Sequence, residues 1–498
     1  MTTLDEPSTA RSTRPGAVGE QPRAVGSIER LLDDAPISRF HRRAVVVSGV
    51  GFFTDAYDLF VISTVTVLVQ AQWNLSTALA SWVSGSAILG AVVGAFVFGR
   101  LADRFGRRRI YLVVAALMIT GAIAGAVSPN VGCLIASRLV LGLGIGGDYP
   151  VSAVLMSEYS NRRDRGRLVG LVFSMQAVGL VVGPLIAMTL LGSGLSHDLT
   201  WRLLLAFGAV PAASVIYVRS KMPESPRFQA RVEGKVEEAA KKLEQFSQGI
   251  VGSRGTARQP RSAWRDGAAA GEPAATTRIT LRDFLRNRRM LRLLIGTAGA
   301  WFLFDYAYYG NTLSLPAILH AVDATATLID KLALSLALFV VFAVPGYFLA
   351  IQRMDRIGHR RLQFIGFAVM AAAFVALGAI GPLTSVLGAF IAVFGISYLF
   401  IEFGPNTTTF VLPSEVFPTQ VRTTGHGIAA GIGKLGAFIG VFLVPILQNA
   451  FGLRGMLFVA GAASAAGFRP DPPHPRACRA QPGRGLRGGR ALRCSVTG

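Results

Sequence analysis

Apolar residues run in long blocks separated by short polar breaks from residue 44 almost to the end of the chain. A bilayer core of roughly 30 Å takes about 20 consecutive apolar residues per helical span. Blocks of that kind fall at 44–69, 79–99, 110–128, 131–157, 168–191 and 203–219. A second set falls at 291–319, 332–351, 362–380, 383–412 and 425–447, followed by a shorter one at 455–468. The pattern predicts an all-α integral membrane protein that crosses the bilayer about a dozen times. The last block stops at Arg469-Pro470-Asp471-Pro472-Pro473, and the tail beyond it is mostly Arg, Gly, Pro and Ala. Such a run cannot continue a helix. It predicts a truncated twelfth helix and an aberrant tail over 469–498, as a reading frame shifted from about residue 468 would give.

The polar breaks carry the organisation. Basic residues gather in 100–109, 161–167 and 353–361, while 70–74, 128–130 and 381–384 contain no Lys or Arg. Alternation of this kind places the basic loops, and with them the N-terminus, in the cytoplasm of a multi-pass cell-membrane protein. Residues 1–39 read as a disordered extension, 40–220 as a first six-helix bundle and 291–468 as a second. Between them, 221–290 reads as a linker with a charged helix at 232–248 and a disordered stretch at 249–277.

The two bundles repeat one another. Asp103-Arg104-Phe105-Gly106-Arg107-Arg108 is echoed by Asp355-Arg356-Ile357-Gly358-His359-Arg360. Ser157-Glu158 followed by Arg165 is echoed at the same spacing by Ser414-Glu415 followed by Arg422. Recurrence of acids and glycines at matched intervals points to two six-helix repeats.

Composition agrees: 51% of residues are hydrophobic and 16% charged, too apolar a balance for a soluble domain. The formal charge of +22 lies in loops between apolar blocks and not along one face, so loop topology explains it without nucleic acid. Three cysteines supply neither a disulfide framework nor a metal cluster, and no motif calls for a cofactor. The first 26 residues lack the apolar stretch of a cleaved signal.

Acids inside apolar blocks are costly and mark proton or substrate pathways. Asp55 and Asp58 lie three apart in the first block, on one helix face, and Asp148 lies deep in the fourth. Helix pairing or capping is the alternative role for Asp58 and Asp148. Trp301, Asp305 and Tyr309 recur every four residues in the seventh block, which puts indole, acid and phenol in one row. The row reads as a binding face in preference to an aromatic belt, which needs no acid at its centre.

The loop Gly99-Arg100-Leu101-Ala102-Asp103-Arg104-Phe105-Gly106-Arg107-Arg108-Arg109 resembles the cytoplasmic signature of the major facilitator superfamily. The resemblance implies a bundle of two six-helix repeats that works by alternating access. It also implies a latch drawn from Asp103, Arg104, Arg107, Glu158, Arg165, Asp355, Glu415 and Arg422, with a loop charge that only fixes topology as the alternative for any single arginine. Within that superfamily, four motifs are similar to those of the phosphate:proton symporter family: the segment from Gly49 to Phe60, Gly146-Gly147-Asp148-Tyr149-Pro150, Trp301 to Asp305, and Phe403-Gly404-Pro405-Asn406-Thr407-Thr408-Thr409. This second resemblance implies inorganic phosphate and protons as the partners, besides membrane lipid. It places Tyr149, Gln176, Asn406 and Lys434 in a central cavity with Trp301, Asp305 and Tyr309. Interhelical hydrogen bonding is the alternative for Gln176 and Asn406.

Asp305 looks misplaced in an anion site, yet protonated it donates a hydrogen bond, and ionised it accepts one from a protonated phosphate oxygen. The expected proton carriers are therefore Asp55, Asp58, Asp148 and Asp305. A symporter of an organic anion or sugar, a phosphate sensor and an inactive product of the damaged end are the competing readings. An enzyme is not expected, because no nucleophile and base stand at a usable spacing.

Overall fold

The computed structural model describes residues 39–161, 163–220 and 281–467, together with Asp33, Ile37, Ser225, Arg227 and Gln229. Most of the N-terminal extension, the charged helix and disordered stretch expected at 232–277, and the tail from 468 onward lie outside the described residues.

Every described element is a helix or a turn. The first five crossings are Arg39–Trp73, Thr77–Phe105, Arg107–Ala126, Val131–Tyr159 and Arg165–Gly192. The sixth comes in two pieces, His197–Phe207 and Ala209–Ser220. The seventh is Arg288–Leu313, the eighth Leu328–Ile357, the ninth His359–Ala379 and the tenth Leu387–Val416. One continuous element, Arg422–Ala466, holds the last two crossings, separated at Gly452, whose φ of 70° only glycine adopts without strain. Among the described residues, nine helices are long and apolar enough to cross a membrane. The Arg422–Ala466 element folds into two crossings, and the broken sixth and the more polar seventh complete the dozen.

The polar breaks act as helix starts. Ser76, Asn130 and Ser196 accept the backbone N–H of Leu79, Cys133 and Leu199, and Thr327 forms a reciprocal capping box with Asp330. Two expected blocks are shorter as helices than as apolar runs. The 291–319 block is interrupted at Ser314, ahead of Pro316, and the 383–412 block is broken at extended Val386, between the short helix Gly381–Ser385 and the crossing that starts at Leu387. Apolarity carries on through a turn; the helix does not.

The repeat is visible in the backbone. Gly106 has φ 92° and ψ 150°, and Gly358 has φ 91° and ψ 138°, each turning the chain between one helix and the next at the same place in its half. No other residue type enters that conformation cheaply, which is why both loops carry glycine there. After Gly452 the chain is helical to Ala466, about 20 Å at 1.5 Å per residue, shorter than a full bilayer core.

Large apolar side chains such as Val93, Val210, Ile295 and Phe348 face outward, as lipid-facing positions should. The interior joins a large apolar core to a set of buried charges. Asp55, Asp58, Asp148, Glu158, Asp305, Glu402, Arg107, Arg138, Arg219 and Lys434 are all buried.

Candidate functional site

The buried charges fall into four places, and their neighbours differ. At the centre, Lys434 from the eleventh crossing lies 3.4 Å from Asp305 Oδ2 and donates to the Tyr309 hydroxyl at 2.8 Å, both on the seventh. Its ammonium also sits over the rings of Tyr309 and Tyr149, 4.0 and 4.5 Å from their centroids. The row read from the sequence thus meets a cation on the neighbouring helix. Small residues permit the approach: a Cβ on Gly436 would lie 2.2 Å from the Phe302 carbonyl oxygen, and one on Gly433 would meet the Trp301 ring at 2.6 Å.

The first half completes the centre. Tyr149 donates its hydroxyl to Asp55 Oδ2 at 2.5 Å and stands 3.3 Å from the Tyr309 hydroxyl. Gln176 Nε2 lies 3.2 Å from Asp55 Oδ2 and 2.9 Å from the Tyr149 hydroxyl. Asp55 Oδ1 has no hydrogen-bond partner among the described residues. On the other side, Tyr347 donates to Gln176 Oε1 at 3.1 Å, and Asn406 Nδ2 donates to Tyr347 at 3.0 Å. Phe52, Phe173, Phe410 and Trp301 wall this polar cluster with aromatic rings. Asp55, Tyr149, Gln176, Trp301, Asp305, Tyr309, Asn406 and Lys434 all lie in this cluster, and each is at most 5% exposed.

Asp58 and Asp148 lie apart from it, each with its own arginine. Arg138 on the fourth crossing donates to Asp58 at 2.6 Å, and Arg219 at the end of the sixth lies 3.5 Å from Asp148. Arg219 also stacks over Tyr111 at 4.0 Å, and Ser152 donates to Asp148 at 3.2 Å. Gly51 makes room for this pair, since a Cβ there would fall 1.9 Å from Asp148 Oδ2. Removing one member of a buried pair strands the other, at a cost of about 3–5 kcal/mol. Arg138→Leu should therefore lower the thermal midpoint and the yield of monodisperse protein, and Arg138→Leu with Asp58→Leu should recover part of both. Equal stability of the single and double variants would show that the pair does not hold the helices together.

At the basic end of the bundle the two halves are joined. Arg107, fully buried, donates to Asp103, Glu158 and the Thr419 carbonyl at 3.0, 3.1 and 3.1 Å. Asp103 Oδ2 accepts the Thr424 backbone N–H at 2.6 Å and its hydroxyl at 2.7 Å, so it sits on the N-terminus of the eleventh crossing, where negative charge is favoured. Ser157 donates to the Ser414 carbonyl at 3.1 Å. Arg422 donates to the Phe417 carbonyl, Arg165 pairs with Asp33, and Glu415 pairs with His359. Asp355 lies against Gly166, where an added Cβ would meet its carboxylate oxygen at 2.7 Å. Arg104 stands outside the junction, exposed, over the Phe105 ring.

Four buried groups went unread in the sequence: Arg138, Arg219, Tyr347 and Glu402. Arg138 was legible as a cation inside the 131–157 block, and Glu402 as an acid four residues before Asn406. Arg219 sat at a block edge, where a basic residue looks like a loop.

Known proteins share this architecture. A sequence profile of the sugar (and other) transporter family matches residues 44–468. The protein is similar to "Inorganic phosphate transporter 1-11" of Oryza sativa subsp. japonica, 35% identical over 487 residues that cover 88% of this chain and 86% of that one. It is similar to the "Repressible high-affinity phosphate permease" of Neurospora crassa, 33% identical over 479 residues, 85% of this chain and 81% of the relative. Among solved structures it resembles the partially occluded inward-open xylose transporter XylE from E. coli, with TM-score 0.68 and 20% identity over 86% of this chain and 97% of that one. At that identity the likeness concerns the fold.

Proposed function

The chain belongs to the sugar (and other) transporter family of the major facilitator superfamily, a family of carriers and not of enzymes, and on that premise we propose that it imports inorganic phosphate together with protons. The observation that carries the reading is Lys434 held between Asp305 and Tyr309, beside Tyr149, with Gln176, Trp301 and Asn406 in the same cluster. These groups are N–H and O–H donors suited to a small oxyanion. The relatives named as phosphate transporters and permeases supply the identity of the anion.

Charge balance supplies the coupling. Ionised Asp305 neutralises Lys434, so an anion entering that neutral pair would bury an uncompensated charge. With Asp55 protonated as well, a proton on Asp305 frees the ammonium and gives the site one positive charge, which a dihydrogen phosphate ion matches. Loss of that proton returns Lys434 to Asp305 and expels the anion. Asp55, with hydrogen bonds from Tyr149 and Gln176 but no ion pair of its own among the described residues, is the second carrier. Asp148 joins them when Arg219 withdraws, and Asp58 stays with Arg138.

The two halves rock about this centre. The junction of Arg107, Asp103, Glu158, Thr419 and Thr424 closes the basic end, and opening that end must break it. We place the basic end and the N-terminus in the cytoplasm, following the charge of the loops. Radiolabelled phosphate uptake into vesicles tests the reading. Accumulation should require an inward proton gradient and should be blocked by unlabelled phosphate but not by sulfate. Binding without accumulation would make the protein a sensor, and competition by a sugar would move it to another substrate.

A further inference from the structure

We propose that Glu402 is a proton-sensing positioning residue: ionised, it holds the Asn406 amide away from the anion, and protonated, it lets the amide turn toward it. The inference rests on the phosphate:proton reading and adds a residue that neither charge balance at Lys434 nor the junction requires.

Glu402 is fully buried in a π-helical turn, Glu402–Asn406, that interrupts the tenth crossing. Turns of this kind are rare and often mark functional positions. An asparagine amide nitrogen carries two hydrogens. Both are committed here, one to the Tyr347 hydroxyl at 3.0 Å and one to Glu402 Oε2 at 2.5 Å. In this arrangement Asn406 has no N–H left for a substrate, although it stands in the central cluster.

The groups facing Glu402 are neutral. They are Asn406 on its own helix, Tyr347 on the eighth crossing and Tyr308 on the seventh, with Tyr398 also close. Among the described residues no Lys, Arg or His forms an ion pair with it. Gly346 packs against the acid, leaving only 2.8 Å between its would-be Cβ and that of Glu402, so the side chain is backed by the eighth crossing. A lone buried carboxylate needs donors, and Asn406 is one of them. Once protonated, the carboxyl becomes a donor itself and can give its hydrogen to the amide oxygen. The amide nitrogen is then released. The change is transmitted to the other half, because Asn406, Tyr347, Gln176 and Asp55 are joined in one hydrogen-bonded chain.

By linkage, phosphate binding must then draw a proton onto Glu402. The test is the slope of log Kd for inorganic phosphate against pH across the neutral range, measured on purified wild type, Glu402→Gln and Glu402→Asp. Glu402→Gln should lose up to one proton from the wild-type slope, and Glu402→Asp should keep it. An unchanged slope in Glu402→Gln, or a slope lost equally in Glu402→Asp, overturns the inference while leaving phosphate binding intact. Wild-type protein that binds no phosphate overturns the phosphate reading and this one together. Where Glu402→Gln does not yield folded protein, phosphate-induced infrared difference spectra of wild type and Glu402→Asp decide. A protonated-carboxyl band that moves in the Asp variant supports the proposal, and its absence or constancy overturns it.

Discussion

Asp305→Asn should bind phosphate yet fail to accumulate it. Asparagine is neutral, like the protonated acid, and leaves Lys434 permanently free for the anion. What it removes is the return of Lys434 to a carboxylate, which drives release. Without that return the proton gradient no longer drives release, so proton-driven accumulation should be lost while the folded protein still binds. Phosphate affinity should change far less and should lose most of its dependence on pH. Measured together, equilibrium binding and vesicle uptake separate the two effects. Uptake at the wild-type rate with the wild-type pH profile would remove Asp305 from the mechanism.

Replacing Lys434 with Gln should act on binding itself. Among the described residues it is the only Lys or Arg that reaches the cluster, bonded to Tyr309 and beside Asp305. Hydrogen bonds to a charged group contribute about 1.5–3 kcal/mol, so the affinity for phosphate should drop roughly 10- to 150-fold, and uptake with it. Because Lys434 and Asp305 act as a pair, Lys434→Gln combined with Asp305→Asn should cost much less than the two single losses added together. Additive losses would mean that the two side chains serve separate tasks.

Much of this was legible in the chain, for physical reasons that can be named. Lipid forces each crossing to satisfy its own backbone, so apolar block length translates almost directly into helices. Helical periodicity did the same for the row Trp301, Asp305 and Tyr309, which share a face because they lie four apart. The illegible part is pairing between distant segments. Nothing local ties Asp58 to Arg138 or Asp148 to Arg219, and both pairs exist only because three crossings converge. The role of Asn406 was likewise incomplete in sequence, since its amide is held by Tyr347 from another helix as well as by Glu402 one turn back. Helix ends at Leu313 and Leu387 were blurred because the apolar run continues through Ser314 and Val386.

One buried site takes up a proton to balance the charge of its anion. Simultaneous recording of phosphate entry and internal pH in liposomes containing the purified protein tests this coupling most directly. Phosphate added outside should acidify the interior in proportion to phosphate taken up, and Asp305→Asn should abolish both signals. Phosphate accumulation with no accompanying proton movement would contradict it.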